Sequence, residues 1–550
     1  MSDTNSRHKT VELLWQLKQQ AERNQVNGVS FIHFNLMLRD ADYRNGIIEK
    51  ACSCGDEALR ALGKQLSELN IDEALLLPGG NQESAAMSGK TRGRNASDAE
   101  KGISQAASPG QSAKPFRLVA MLCLVLVIAA AGYGVVSLPS LQGSRHISES
   151  ITEDTVWPAG SSYLLEGLVY VENGASLTIE EGVTVRGQKG SALIVTRDSQ
   201  LYAKGTAQAP IVFTSGQKPG TRRSGDWGGL VLLGNARVNK SNAFIEGVPV
   251  NDTRGYFGGD DDADSCGVLT YVRIEFAGHE VYANNELNGL TLAGCGSNTI
   301  VRNLQVHRAL DDGIEVFGGA VDLKYAVVSG AGDDGFDWDM GWRGRVQYLL
   351  VQQHENVGDN GFEGDNSKSN PDAQPRSAPQ FYNVTLISPH SGGKAQRAMT
   401  LRAGTGGSFH NMIIEGFSAE AIDLRDAVAP LLAEGSLELS HMYLAGIGPG
   451  GNLFYADESA NKDDDNGFDE QAFFMADQQH MHHQQQAALL KIATDPLQPN
   501  FTPPRYRLLE DTYAAIPQGE FWNESAQYLG AIRPGSKQSW LDHWTDFPAN

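Results

Sequence analysis

The chain has no surplus of basic residues. Of its 550 residues, 44 are Lys or Arg and 66 are Asp or Glu, a net charge of −22. Binding nucleic acid requires a basic face that neutralises phosphates, so this balance argues against a nucleic-acid partner. It suits an acidic soluble surface or a cation-binding one. Cysteine is scarce, five in all, which excludes a disulfide scaffold. Long helical patterns are missing from about residue 161 to about residue 466. Charge is missing from one stretch of 21 residues, Leu118–Leu138, "LVAMLCLVLVIAAAGYGVVSL".

That stretch is long enough to cross a bilayer as a helix. Lys90, Arg92, Arg94, Lys101, Lys114 and Arg117 precede it, while Arg145, Glu149, Glu153 and Asp154 follow. The basic flank belongs inside, so the N-terminus is expected in the cytoplasm and the C-terminal part in the periplasm of a bacterial inner-membrane, single-pass protein. As a cleaved signal peptide, the segment would follow a basic region more than 110 residues long. Whole signals run to about 15–30 residues, so a signal-anchor is the expectation. Cys266 and Cys295 then lie in the oxidising compartment, where a bridge is stable.

Residues 1–77 read as a cytoplasmic helical domain. Leu59, Leu62, Leu66 and Leu69 recur at helical spacing behind Asp56, a candidate N-cap. The run "VSFIHFNLMLRD…GDEALRALGKQL", near 28–70, faintly resembles the helical N-terminal domains of Clp-type chaperones, which implies an adaptor-like bundle with a cytoplasmic partner. Residues 78–115, rich in small and polar residues, read as a flexible linker. A transmembrane helix is expected over 116–138 and a juxtamembrane segment over 139–160.

From residue 161 the texture changes to short β-branched and aromatic runs separated by Gly, Asn and Asp. Gly289, Gly313, Gly335, Gly361, Ala398 and Ala421 align in one frame, with steps of 24, 22, 26, 37 and 23 residues. A second frame starts at Tyr271, Asn303, Tyr325, Tyr348, Asn383 and Asn411. Two interleaved strand frames with a period in the low twenties indicate a solenoid, one coil per period. No Trp-Asp or kelch-like marker recurs as a propeller would require. The fold class is therefore mainly β: a right-handed parallel β-helix over 161–455. A polar acidic, His- and Gln-rich insertion (456–500) and a C-terminal segment packing on the solenoid (501–550) complete the chain. Cys266 and Cys295 fall on successive coils, so an inter-coil disulfide is expected.

"DWGGLVLLGNA", "GGDDDADSCGVLTYVRIEFAG", "DDGIEVFGGAVDLKYAVVSGAGDDGFDWDMGWRG" and the closing "YLGAIRPGSKQSWLDHWTDF" resemble a group of bacterial exported β-helix proteins. These are often called lipoproteins or hypothetical secreted proteins, and the resemblance covers about residues 157–545. It implies an exported right-handed parallel β-helix. This chain differs in having a cytoplasmic domain and a membrane anchor where others have an export signal.

The phrase "DDGIE" at Asp311 returns as "DDGFD" at Asp333 and "DNGFE" at Asp359. Strand alternation turns Ile314, Phe336 and Phe362 inward and Glu315, Asp337 and Glu363 outward. Two residues on, Asp339 and Asp365 share the outward side, followed by Arg402 and Arg425. Asp333 and Asp359 stand at the turns before this strip. Carboxylates about 5 Å apart repel by about 1 kcal/mol per pair in water and more at lower dielectric. Bound cations, arginine partners or full hydration relieve that repulsion. Ca²⁺ is the natural cofactor, since it takes six to eight oxygens in irregular geometry. Glu315, Asp333, Asp337, Asp339, Asp359, Glu363 and Asp365 are the candidate metal ligands. Arg402, Arg425 and Trp342 are candidate ligand-binding residues. Trp342 and Trp227, in Gly-rich loops, are placed to stack on a sugar, whereas Trp338 has inward parity. Plain turn chemistry explains the same acidic residues without any ligand.

Function is expected to be binding of a cation, glycan or envelope protein by the acidic face. A membrane-anchored polysaccharide lyase or hydrolase is the alternative, and a transmembrane sensor the second alternative. The enzymatic reading uses Asp337, Asp339, Glu363 and Asp365 as the acid and the base or nucleophile. The Gly-His-Gly and Arg-Ile-Lys elements of pectin-type hydrolases are absent.

Overall fold

The computed structural model of the chain describes residues 13, 14, 17, 20, 41–54, 56–67, 144–249, 252–282, 285–389, 394–454, 467–476, 481–484, 496–497 and 499–550. They divide into two compact units, 1–140 and 141–550. The linker 78–115 and the expected transmembrane helix 116–138 lie outside the described residues. Among the described residues, no helix is long and apolar enough to cross a membrane.

In the first unit, helices Ala41–Ser53 and Glu57–Ser67 pack together. Asp56 accepts the Leu59 N–H at 2.8 Å, capping the second helix as its sequence suggests. Ile47, Ile48, Ala51, Leu59 and Leu66 are buried between them. At Gly63 a Cβ would come within 2.9 Å of the Cys52 backbone, so glycine permits the close crossing. Cys52 and Cys54 are unbridged.

The second unit is a parallel β-helix of two long sheets, 15-stranded and 9-stranded among the described residues. In the smaller sheet Leu193, Leu230, Leu290, Ile314, Phe336, Phe362 and Met399 stack in register. All seven are fully buried, so the residue that follows each small residue of the first sequence frame forms the inward column of the solenoid. Each buried side chain of this size contributes about 1.5–3 kcal/mol relative to exposure. Pairing begins at Arg145–Ile147 and Thr155–Trp157, inside the stretch read as juxtamembrane. These strands are only three residues long and too short to alternate visibly. The strand Met481–Gln484, within the polar insertion, pairs with Leu437–Ala445.

The second frame proves to be a column of corners. Tyr271, Asn303, Tyr325, Tyr348, Asn383, Asn411 and His441 all have φ between 51° and 64°. Ladder pairing skips each of them, from Thr270↔Arg302 to Val272↔Leu304 and onward. Left-handed backbone costs a non-glycine residue roughly 1–2 kcal/mol, least for Asn. Here the corner side chains gain partners. Asn383 Nδ2 donates to the carbonyls of Ala526 and Tyr528 at 3.1 and 2.8 Å. Asn411 exchanges two hydrogen bonds with the Ala514 backbone. Tyr325 and Tyr348 stack at 4.9 Å. The C-terminal segment thus runs along the large sheet, burying Leu509, Leu529, Ile532 and Trp544 against Val327, Leu350 and Ile413.

Cys266 and Cys295 are bonded, linking one coil to the next as their spacing suggests. Two tryptophans correct the sequence reading. Trp342 and Trp227 are fully buried rather than available for stacking. The Trp342 indole donates to the Val321 carbonyl at 3.1 Å, and that of Trp227 to the Glu275 carbonyl at 2.9 Å. Their glycine neighbours make room for the rings: a Cβ on Gly344 would lie 2.5 Å from Trp342 Nε1, and one on Gly187 2.5 Å from Trp227 Cβ.

Candidate functional site

Two coverings decide which outer face remains. The C-terminal segment covers the large sheet. On the small sheet, Ala243, Ile245, Val248 and Phe257 pack over Tyr170, Ile194, Val231 and Ala293. The acidic column begins where that loop ends, on the strands Ile314–Phe317, Phe336–Asp339 and Asn360–Gly364.

Parallel register sets Glu315 beside Asp337 and Asp337 beside Glu363. Three sets of carboxylates each bring one oxygen per residue within 4.8 Å of one another: Asp311/Asp312/Asp333, Asp312/Glu315/Asp337 and Asp334/Asp337/Glu363. Asp312 joins the first two sets and Asp337 the last two, so the three interlock. Glu315, Asp333, Asp337 and Glu363 of the sequence-derived ligand set are therefore brought together. Asp359 donates its backbone N–H to the Asp333 carbonyl at 2.7 Å and belongs to none of the sets. Asp339 accepts the Met340 N–H at 2.5 Å. Asp365 is paired with Arg402 at 2.7 Å and Lys368 at 3.4 Å.

Sequence reasoning missed Asp312 and Asp334, the second letters of the first two acidic phrases. Both are buried. Asp312 Oδ1 accepts the Asp334 N–H, and Asp334 Oδ1 accepts the Asn360 N–H, each at 2.8 Å. Parity could have found them, since each lies two residues before an inward apolar residue. Glu246 and Asn288 were also missed, and only the folded loop brings Glu246 to the column. Asn288 Nδ2 donates to Glu315 Oε2 at 2.5 Å.

Burial dominates the electrostatics. It pushes Asp312, Glu315, Asp334 and Asp337 well above the usual carboxylate range, and neighbouring carboxylates push them further. Burial raises Asp339 to about 6 and Glu363 to about 7; the Arg402 charge opposes the latter rise. Two oxygens stand out. Asp337 Oδ1 and Asn288 Oδ1 are buried without a hydrogen-bond partner. An acceptor left so is costly, by about 1–3 kcal/mol, and more for a charged group.

The donors are all oxygen, which suits a hard cation such as Ca²⁺ and disfavours zinc. Arg402 bridges Glu363 and Asp365. Arg425 sits one coil on, paired with Asp423 at 2.5 Å. Beside Asp339 a cleft of 420 Å³ opens, lined by Asn239, Lys240, Asn366, Lys368 and Asn370.

A family profile described as "Pectate-lyase like beta helix domain" matches residues 149–478. No curated protein and no solved structure matches the chain. That match covers more than half of the chain, and both long sheets within it are parallel among the described residues, so the chain belongs to the pectate-lyase-like β-helix family.

Proposed function

We propose that the acidic column binds a divalent cation, Ca²⁺ by its donor chemistry, and that the loaded site binds acidic glycan at the cell envelope. The observation that carries this reading is the interlocked carboxylate sets around Asp337, whose buried Oδ1 lacks any donor. A cation supplies the missing charge and removes the mutual repulsion. Asp312, Glu315, Asp334, Asp337 and Glu363 would hold it, with Asp311 and Asp333 at the turns. The uronate carboxylate of a glycan would meet the cation and the rim lysines Lys240 and Lys368. Titration calorimetry of the full chain with Ca²⁺, then with oligouronates in Ca²⁺ and in chelator, tests both steps. Glycan binding that persists undiminished in chelator overturns the cation-dependent reading.

A second reading, glycan hydrolysis, is favoured by one observation. Asp339 and Glu363 are raised to about 6 and about 7, where a carboxyl serves as acid or base near neutrality. Release of reducing ends from a glycan panel would support it, and intact glycans would exclude it for that panel. In the same reading, the solenoid stands in the periplasm, anchored through residues 118–138 in the inner membrane. A periplasm-dependent reporter should be active when fused after residue 550 and inactive when fused before residue 1. The reverse pattern overturns that orientation.

A further inference from the structure

A separate group of reactive side chains stands on the large sheet near the C-terminal end of the solenoid. The ladder sets His410, on the strand Gly407–Glu415, beside Ser440, on Leu437–Ala445. Glu438 lies two residues before Ser440 and shares its face. His410 Nδ1 is 2.8 Å from Ser440 Oγ, and His410 Nε2 is 3.6 Å from Glu438 Oε2. His441 Nδ1 is also 2.8 Å from the same hydroxyl. A hydroxyl donates one hydrogen bond and accepts others. With His441 donating to Oγ, the Ser440 O–H donates to His410.

His410 is 8% exposed, and burial pushes its imidazole down to about 4. At pH 7 it is neutral and its lone pair is free to take a proton. The group lines a groove of 630 Å³ walled by Leu432, Leu437, Leu439, Phe473 and Phe474. The groove also has a backbone donor. Gly407 N–H donates to the Ser436 carbonyl, so alternation turns the Leu439 N–H to the opposite strand edge. Among the described residues, the next strand pairs that edge only from Met442 onward.

We propose that this groove hydrolyses carboxylic esters with a small apolar acyl group, using Ser440 as nucleophile and His410 as general base. Ser440 Oγ attacks the acyl carbon while its proton passes to His410 Nδ1. The bond to the alcohol oxygen breaks, and the leaving alcohol takes that proton. Water then attacks the acyl-serine, gives a proton to Nδ1, and releases the carboxylic acid as Ser440 recovers the proton. The Leu439 N–H is the donor placed for the carbonyl oxygen of the tetrahedral intermediate. Glu438 is a positioning residue: its carboxylate, 3.6 Å from Nε2, is close enough to close onto the Nε2–H when the ring takes the proton. The apolar walls accept the acyl chain. None of these groups belongs to the acidic column, so the site stands or falls independently of the cation reading.

The test treats the full chain with a fluorophosphonate probe and maps the adduct by mass spectrometry. A second arm follows hydrolysis of p-nitrophenyl butyrate. The adduct is expected on Ser440, with hydrolysis lost in Ser440→Ala. His410→Gln should slow both reactions by about a hundredfold or more. The rate should fall on the acid side only near pH 4, and Glu438→Gln should move that limb lower, because the ring loses its anionic neighbour. Labelling of wild type needs no variant, so misfolding cannot mimic failure. No adduct on wild-type Ser440, undiminished labelling in His410→Gln, or full hydrolysis by Ser440→Ala overturns the proposal.

Discussion

Asp337 lies directly beside Glu363 across the parallel ladder, and Asp334 completes a set of oxygens within 4.8 Å. Burial and mutual charge raise all three. Without a cation, the cluster favours the folded state while protonated. For Glu363 that contribution is present below its unfolded value near 4.5 and is lost as pH rises through about 7. In chelator, the melting temperature of the full chain should therefore rise as pH is lowered from 8 toward 6. Millimolar Ca²⁺ should reverse the trend. A ligand binding only the folded state adds about 2.7 kcal/mol at a hundred times its dissociation constant. Asp337→Asn with Glu363→Gln should melt higher than wild type in chelator at pH 8 and gain little from Ca²⁺. Identical melting of both proteins with and without Ca²⁺ would leave only turn chemistry.

Acid acts oppositely at the far face. His307 Nε2 donates to the Pro548 carbonyl at 2.9 Å, its Nδ1 has no partner, and the ring is fully buried. Burial pushes it down to about 3, and the charges of Arg308 and Arg273 act in the same direction. A histidine depressed in the folded state binds more protons when unfolded, so stability falls as pH drops below about 6.5. At pH 5 the loss from His307 alone is about 2 kcal/mol. His307→Gln keeps an N–H for Pro548 and should flatten this acid limb. Denaturant unfolding at pH 7.5 and pH 5 checks it, and an unchanged difference between the two pH values refutes it.

The solenoid was legible in the sequence because inward parity survives every insertion, as Ile314, Phe336 and Phe362 show. The corner column was visible as a frame but not as corners. Tyr271 and Tyr348 look like strand residues, and only the docked C-terminal segment explains their left-handed backbone. The site was half legible. Glu315, Asp337 and Glu363 followed from alternation, but the burial of Glu315 depends on the loop that carries Ala243, Ile245, Glu246 and Val248 and folds back over the sheet. No local pattern reports such a contact.

The disulfide should contribute measurably. Cys266 and Cys295 close a loop of 29 residues. Constraining the unfolded chain that way is worth about 3–4 kcal/mol. Cys266→Ala with Cys295→Ala should lose about that much on denaturant unfolding, and reductant should then leave the double mutant's midpoint unchanged. In wild type, both thiols should resist alkylation in denaturant until reduced.

Trp342 separates a packing role from a sugar-binding one. Its ring sits 5.5 Å from Phe336 and 5.8 Å from Phe381, inside the solenoid. Truncating a buried ring of this size costs about 3–5 kcal/mol, from lost burial and the cavity left behind. Trp342→Ala should therefore lower unfolding stability by that order. Trp342→Phe should cost less, because a ring remains and only the Val321 hydrogen bond and part of the volume are lost. A stacking role makes the opposite forecast: stability near wild type and glycan affinity reduced by removal of the ring. Calorimetry with oligouronates on Trp342→Phe, still folded, decides between them. Affinity within twofold of wild type fits packing, and a tenfold loss at wild-type stability would restore Trp342 to the ligand-binding set.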